Sequence, residues 1–382
     1  MRYIASVVLM ILLAVPVWAE PFMSPEDVRE AAGYEKTVVA KGLNHPWGMA
    51  WLPDGGLLIT ERPGRVLLLR DGDIRPVPGS PDVLTEGQGG LLDIAVHPDF
   101  KSNGLVYFTL ATGNKHANHT ALARARFDGQ RFSNIKILFT VPQLKAGGQH
   151  FGSRIVWLPD GTLLMSTGDG GNPPVRVDGK LARKHAQDLK SHLGKVLRFN
   201  DDGSPVNGGA FEARQGVPEL YSIGHRNIQG MAYDPIRETV WASEHGAKGG
   251  DELNRIAEGE NYGWPEATYS KEYMFSLEIS EYTSLPGMVD PSLVWQSGIA
   301  PSGLCLYTGD VFPQWKGDLF AGGLRGKTVR RLILDDSGNV TGEEAIPMSE
   351  RVRDVRQGPD GRIYILTDQT DGKLIRLDPA ER

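Results

Sequence analysis

Trp47-Gly48-Met49-Ala50-Trp51-Leu52-Pro53-Asp54-Gly55 runs into Leu57-Leu58-Ile59-Thr60, and the same phrase returns twice more. Ser153-Arg154-Ile155-Val156-Trp157-Leu158-Pro159-Asp160-Gly161 runs into Leu163-Leu164-Met165-Ser166. Arg353-Asp354-Val355 continues through Pro359-Asp360-Gly361 into Ile363-Tyr364-Ile365-Leu366. In Pro-Asp-Gly the proline presets φ, the aspartate bonds nearby backbone and the glycine takes a positive φ. Each phrase therefore predicts two apolar strands joined by a tight turn.

Three looser copies fill the intervals. Leu91 to Asp99 precedes Leu105-Val106-Tyr107-Phe108, Ile228 to Pro235 precedes Val240-Trp241-Ala242-Ser243, and Ser302-Gly303-Leu304 precedes Leu319-Phe320-Ala321-Gly322. The six units begin roughly 45 to 75 residues apart, the spacing of propeller blades with loop insertions. We expect an all-β protein, a six-bladed β-propeller of four-stranded antiparallel blades. Two β-sandwiches are the rival layout, and regular repetition argues against them. One short helix is expected over Ser24 to Ala32, capped by Ser24 with Pro25 at its first position.

The start of the chain predicts export. Met1-Arg2 is followed by an apolar run from Val7 to Val15 and by Val17-Trp18-Ala19, the layout of a cleaved leader. The expected division is a signal peptide over 1–19 and one propeller over 20–382, in the periplasm or secreted. No later stretch reaches transmembrane length. Cys305 is the single cysteine of 382 residues, so no internal disulfide is available, and between Leu304 and Leu306 it reads as a buried strand residue. A formal charge of −6 without a basic tract argues against nucleic-acid binding. An anionic ligand would have to be met by local arginines.

The units differ most just before and after each hairpin, where glycines flank polar groups and let backbone approach a ligand. Gln88 stands in such a stretch. His150, in Gly147-Gly148-Gln149-His150-Phe151-Gly152, is the best candidate for a base, because imidazole titrates near neutral pH. An isolated loop histidine is more often bonded to turn backbone, and the flanking glycines tilt this one towards chemistry. Arg226-Asn227 offers a cation and an amide for a developing oxyanion. Arg325, Arg351 and Arg353, each unremarkable alone, as a set point to a carboxylate ligand. Glu244 to Glu252, followed by Asn261-Tyr262-Gly263-Trp264-Pro265, is rich in oxygen donors and reads either as a structural turn or as a calcium loop. Asp169-Gly170-Gly171-Asn172 is a similar, weaker pattern. The histidines show no zinc spacing, and nucleotide-binding loops and nucleophile elbows are absent.

Taken together, several stretches resemble the quinoprotein sugar dehydrogenases of the soluble glucose and aldose sugar dehydrogenase type. They lie at 42–50, 87–93, 149–154, 224–230, 244–254, 261–265 and 351–355, in the family's order and across nearly the whole mature chain. The resemblance implies a propeller that binds pyrroloquinoline quinone (PQQ) and Ca2+. It implies an aldose sugar as substrate, oxidised at C1 to the lactone, and an electron acceptor that the sequence does not name. His150 matches the general base, while Arg226 and Asn227 match partners of the quinone oxygens. Gln88 matches a cofactor or substrate contact. Arg325, Arg351 and Arg353 match the carboxylate clamps, with Gly323, Leu324 and Val352 beside them. The carbonyls of Gly246 and Ala247 match those that hold calcium against the quinone, and Glu252 and Tyr262 match a second calcium site. Tyr273 falls where the aldose branch has a cofactor-contacting tyrosine. Two departures stand out. Ala247 replaces the family's usual proline, and Gln149 precedes the base where the glucose branch has an aspartate. A non-catalytic glycan- or protein-binding propeller and a calcium-dependent lactonase are the alternatives, disfavoured by the base and by the arginine set.

Overall fold

In the computed structural model the described residues are 20–380. The expected leader at 1–19 lies outside them. Six four-stranded antiparallel sheets follow one another along the chain. Blade 1 begins with Pro46–Trp51, blade 2 with Leu91–Val96, blade 3 with Ile155–Trp157, blade 4 with Ile228–Asp234, blade 5 with Pro301–Leu306 and blade 6 with Val352–Gln357. These innermost strands are the repeated phrases, and the tight turns join each to the second strand of its sheet.

Closure comes from the N-terminal side. Blade 6 has only three strands from the C-terminal end of the chain. Its outer strand is Tyr34–Leu43, antiparallel to Gly372–Pro379 with Val38 opposite Ile375. An early strand and the last strand are thus hydrogen-bonded to each other, and among the described residues no blade is left with a free seam. Phe22–Met23 adds a fifth, parallel strand to blade 4, beside Leu293–Trp295. The helix expected over Ser24 to Ala32 is absent. That stretch is extended, with Ala31 donating to the carbonyl of Ala345 and Ala345 to that of Arg29 on blade 5. Pairing with a neighbouring sheet edge outcompetes a single helical turn, which is costly to nucleate.

Each pair of neighbouring blades encloses an apolar layer. Leu58, Leu68, Ile94 and Phe108 fill the space between blades 1 and 2, and Met49, Ile59, Leu366 and Leu374 fill that between blades 6 and 1. Cys305 belongs to the layer between blades 5 and 6, where burial pushes its thiol up to about 12. A fully buried Leu, Ile, Met or Phe side chain in these layers contributes about 1.5–3 kcal/mol, so the ring of layers is the main source of stability.

One repeat position lies at the axis: Gly48, Asp93, Arg154, Gly230, Gly303 and Asp354. The inner strands of blades 1, 2, 4, 5 and 6 carry a register shift at or beside it. The glycines make room for the charges. A Cβ on Gly303 would sit 2.2 Å from Asp354 Oδ1. Arg154, 1% exposed, pairs through Nη1 with Asp93 at 3.2 Å and with Asp354 at 3.0 Å. Arg356 joins the same two carboxylates at 3.1 and 3.2 Å. Two acids and two arginines therefore plug the channel with zero net charge. Hydroxyls stitch the blades around this plug: Thr60 donates to Leu92 O at 2.6 Å, Thr109 to Ser153 O at 2.7 Å and Ser302 to Val352 O at 2.8 Å.

Candidate active site

The plug divides the channel. At the end where each inner strand begins and its second strand finishes lies a cavity of about 490 Å³. Its wall includes Trp47, Arg62, Gln88, Phe151, His245, Leu324, Arg351, Arg353 and Asp368.

His150 sits beside this cavity, 4% exposed, in the left-handed backbone region at φ 49°. Its backbone N–H donates to Gln88 Oε1 at 2.9 Å. Its Nδ1 lies 2.6 Å from Asp169 Oδ1. Asp169 is 1% exposed and also accepts from Trp264 Nε1 at 2.9 Å and from the Gly171 N–H at 3.0 Å. Burial opposes ionisation of Asp169, but His150 and Arg226 outweigh it and hold the carboxyl below its usual range. A carboxylate at Nδ1 makes that nitrogen the protonated one and leaves Nε2 as the basic lone pair. Among the described residues no group bonds Nε2 of His150. Burial, then the charge of Arg226, push the imidazole below its ordinary pKa. Gly168 makes the geometry possible, because a Cβ there would stand 2.1 Å from the His150 carbonyl.

Arg226, 2% exposed, is fixed at both ends. Its backbone N–H donates to Glu244 at 2.7 Å, and its guanidinium donates to Asn172 Oδ1 at 2.7 Å and to the His245 carbonyl at 3.2 Å. It stacks over Trp264, 5.4 Å from the ring centre, and its Nε has no acceptor among the described residues. Asn227 Oδ1 accepts the Gly152 N–H at 3.1 Å, tying the Arg226 loop to the His150 loop. His245 donates to the Pro301 carbonyl at 2.7 Å, and burial pushes it down to about 3, so it is neutral.

On the opposite wall Asp368 binds Arg353 at 2.8 Å and Arg351 at 3.3 Å. Burial raises its pKa, and the two arginines lower it further than that. Arg62, between these and Gln88, brings a third cation. Three arginines thus line a wall with one carboxylate, and Nε of Arg62 and of Arg353 is unbonded among the described residues. Leu324 lines the same wall. Gly323 is a strand residue opposite Pro301 and Thr328. Val352 turns its side chain into the layer between blades 5 and 6 and is not part of the cavity wall. Arg325 is exposed and bonds the Ser297 carbonyl at 2.8 Å, away from the cavity wall. Tyr273 is 57% exposed on the 271–278 segment and does not line the cavity either.

The loop from Glu244 to Glu252 folds on itself, with the Gly246 N–H on Asp251 at 2.8 Å and the Ala247 N–H facing Ser270 Oγ at 3.1 Å. The carbonyls of Gly246 and Ala247 take no hydrogen bond among the described residues. Below them Gly246, Glu244, Glu252 and Tyr262 surround a narrow gap. Asn254 Nδ2 reaches Glu244 at 3.1 Å and Glu252 at 3.3 Å, while its Oδ1 is orphaned. Burial, then Glu244, push Glu252 well above the usual carboxylate range. The Tyr262 hydroxyl is already used, donating to the Arg255 carbonyl at 2.6 Å, so only its backbone remains as a cation ligand. No cluster of three or more acidic, histidine or cysteine side chains suited to a metal occurs among the described residues. A cation here would rest on carbonyls and on Glu252.

Residue patterning leaves Arg62 and Asp368 without a role and reads Asp169 only as part of a weak oxygen-donor turn. A single positional signal finds them. All three lie just past the end of a blade's second strand, as His245 and Leu324 do.

Comparison with known proteins agrees with this layout. Residues 43–376 match the family model for Glucose / Sorbosone dehydrogenase. An uncharacterized protein of Synechocystis is 51% identical over 94% of this chain and 90% of its own. The aldose sugar dehydrogenase YliI of Escherichia coli is 34% identical over 97% of both chains. The structure of the PQQ-bound aldose sugar dehydrogenase of Streptomyces coelicolor superposes with a TM-score of 0.74 at 30% identity, covering 91% of this chain and 99% of that one.

Proposed function

Because this chain belongs to the glucose/sorbosone dehydrogenase family, we propose that it is an exported quinoprotein that oxidises aldose sugars at C1 to lactones. The observation that carries the reading is the His150–Asp169 pair beside a cavity whose arginines outnumber its acids. Similarity to dehydrogenases supports a sugar-oxidising oxidoreductase, and the PQQ-bound relative supports that cofactor.

The residues fit the groups proposed. Arg353 and the added Arg62 offer an unbonded guanidinium Nε to a polycarboxylate, Arg351 stands beside them, and Arg226 presents a free Nε. The idle carbonyls of Gly246 and Ala247, with Glu252 below, are hard oxygen donors suited to Ca2+. When bound, the quinone supplies a two-electron acceptor for the C1 hydride, and calcium beside it makes that acceptor stronger.

The chain's own part is positioning and proton transfer. His150 Nε2 takes the proton of the anomeric hydroxyl, and Asp169 holds the imidazole in the required tautomer and steadies the imidazolium that forms. Arg226, fixed by Asn172 and by His245 O, places a positive charge where negative charge develops. Neutral His245 adds no competing charge. Gln88 anchors the base loop. Holding sugar and base in line removes most of the entropic cost of the encounter.

The test is to add PQQ and Ca2+ to the purified protein and to measure dye reduction by a panel of aldoses, alongside the absorption spectrum. Aldose-dependent reduction in the loaded protein is expected. Absence of both quinone binding and turnover would sink the reading.

A further inference from the structure

Lys145 is a buried cation that the proposed chemistry does not use. It is 2% exposed, and burial pushes its amine down to about 7, with Asp169 the charge that opposes the fall. Burying an ammonium is expensive, so its surroundings are informative. Its Nζ donates to the Gly147 carbonyl at 3.3 Å, three residues before His150. The same Nζ stands 3.7 Å from the ring centre of Phe151, the residue after His150. The ammonium therefore touches the base loop on both sides of the base.

Its own backbone is anchored. Asn118, in the third strand of blade 2, exchanges two hydrogen bonds with Lys145, at 2.9 and 3.1 Å, and its Nδ2 also holds the Gly147 carbonyl at 2.9 Å. On the far side the Lys145 stem packs on the Asp169-Gly170 turn, with Cδ 3.6 Å from where a Gly170 Cβ would lie. One side chain thus spans from a rigid strand, under the loop of His150, to the turn that carries its carboxylate.

We propose that Lys145 is a positioning residue for His150, clamping its loop through Gly147 and Phe151 and biasing the imidazole towards the neutral, proton-accepting form. The inference rests on the reading of His150 as the base. The charged and titratable groups facing the imidazole are Asp169, which favours protonation, and Arg226, Lys145 and His245. Removing the Lys145 charge leaves Asp169 opposed by Arg226 alone.

Lys145→Met, Lys145→Gln and Lys145→Arg test this. Glutamine keeps a donor for Gly147 without the charge, and arginine keeps the charge. The first readout is the His150 pKa in ¹⁵N-histidine-labelled protein, assigned with His150→Gln and measured without cofactor or sugar. The second is kcat and KM against pH in the loaded protein. We expect the His150 pKa to rise by about half a unit or more in the Met and Gln variants. The acidic limb of kcat should move up with it, KM should stay near the parent value, and Arg should restore both. An unchanged His150 pKa in a folded neutral variant would overturn the proposal, as would a kcat loss equal at every pH. If the parent itself turns over no aldose, the proposed activity fails, and the titration still decides whether Lys145 governs the imidazole.

Discussion

The two ends of the channel are built from the same six inner strands and share almost nothing else. Where the inner strands finish, Trp51, Val96, Trp157, Tyr233, Leu306 and Gln357 rim a funnel of about 370 Å³, served by the repeated turns. Where they begin, the loops all differ, and the wall gathers three arginines, two histidines and a lone aspartate beside Trp47, Leu92, Phe151 and Leu324. Between the ends, two carboxylates and two arginines, all but Arg356 fully buried, cancel. The comparison teaches that what repeats is scaffold and what departs from the repeat is site. It also teaches that balanced buried charge holds the fold, while unbalanced charge awaits a ligand.

The largest effect that could break this division is at the base. His150→Gln should lower aldose turnover by about 10²- to 10⁴-fold while leaving quinone binding intact, read by dye reduction and by cofactor titration. Equal loss of both would place His150 in the cofactor's binding set instead. Next in size is the plug. Arg154→Met leaves two buried carboxylates facing Arg356 alone and should cost about 3–5 kcal/mol of stability, measured by denaturant unfolding of the whole protein. At the unbalanced end, Arg353→Met should weaken cofactor binding by about 10- to 100-fold and cost less stability than Arg154→Met, because Asp368 keeps Arg351 and His45. If Arg353→Met destabilises as much as Arg154→Met, the contrast between the two charge sets is wrong.

Acid sharpens the same contrast. The His150 pKa is lowered in the fold, so the free base persists below pH 6.5, and the acidic fall in kcat should lie below that value. The unfolded imidazole takes its proton at about 6.5. Stability should therefore begin to decline as pH falls through 6.5, before activity does. Parallel pH scans of unfolding midpoint and kcat check the order. The smallest effect belongs to the turn end. Gly55→Ala, at φ 87° with open space around it, should cost about 1 kcal/mol and leave turnover unchanged.

Much of this was legible along the chain. Hairpins such as that of Leu163-Leu164-Met165-Ser166 announce themselves because a short apolar strand and a Pro-Asp-Gly turn are local chemistry. His150, Arg226 and Arg353 were visible because glycines and departures from the repeat surround them. Three features were not visible. Tyr34–Leu43 alternates too weakly to declare itself the missing strand of a blade more than 300 residues away, and its partner exists only once the ring closes. Ser24 to Ala32 has sound local helix signals, yet an open sheet edge takes it. Asp169 looks like one more turn aspartate until blade 3 places it against His150.

By itself, then, the sequence determined the repeat, the antiparallel blades, the apolar layers and the class of residue offered at the loops, because each depends on neighbours a few positions apart. Tertiary structure alone decided which loops share a cavity, which arginines are neutralised and which left free, and that the base is oriented by a carboxylate nineteen residues on. The last follows from strand pairing within blade 3, and the others are consequences of ring closure. It brings six distant copies of one repeat position to a common axis, and burial there fixes the strength of every charge.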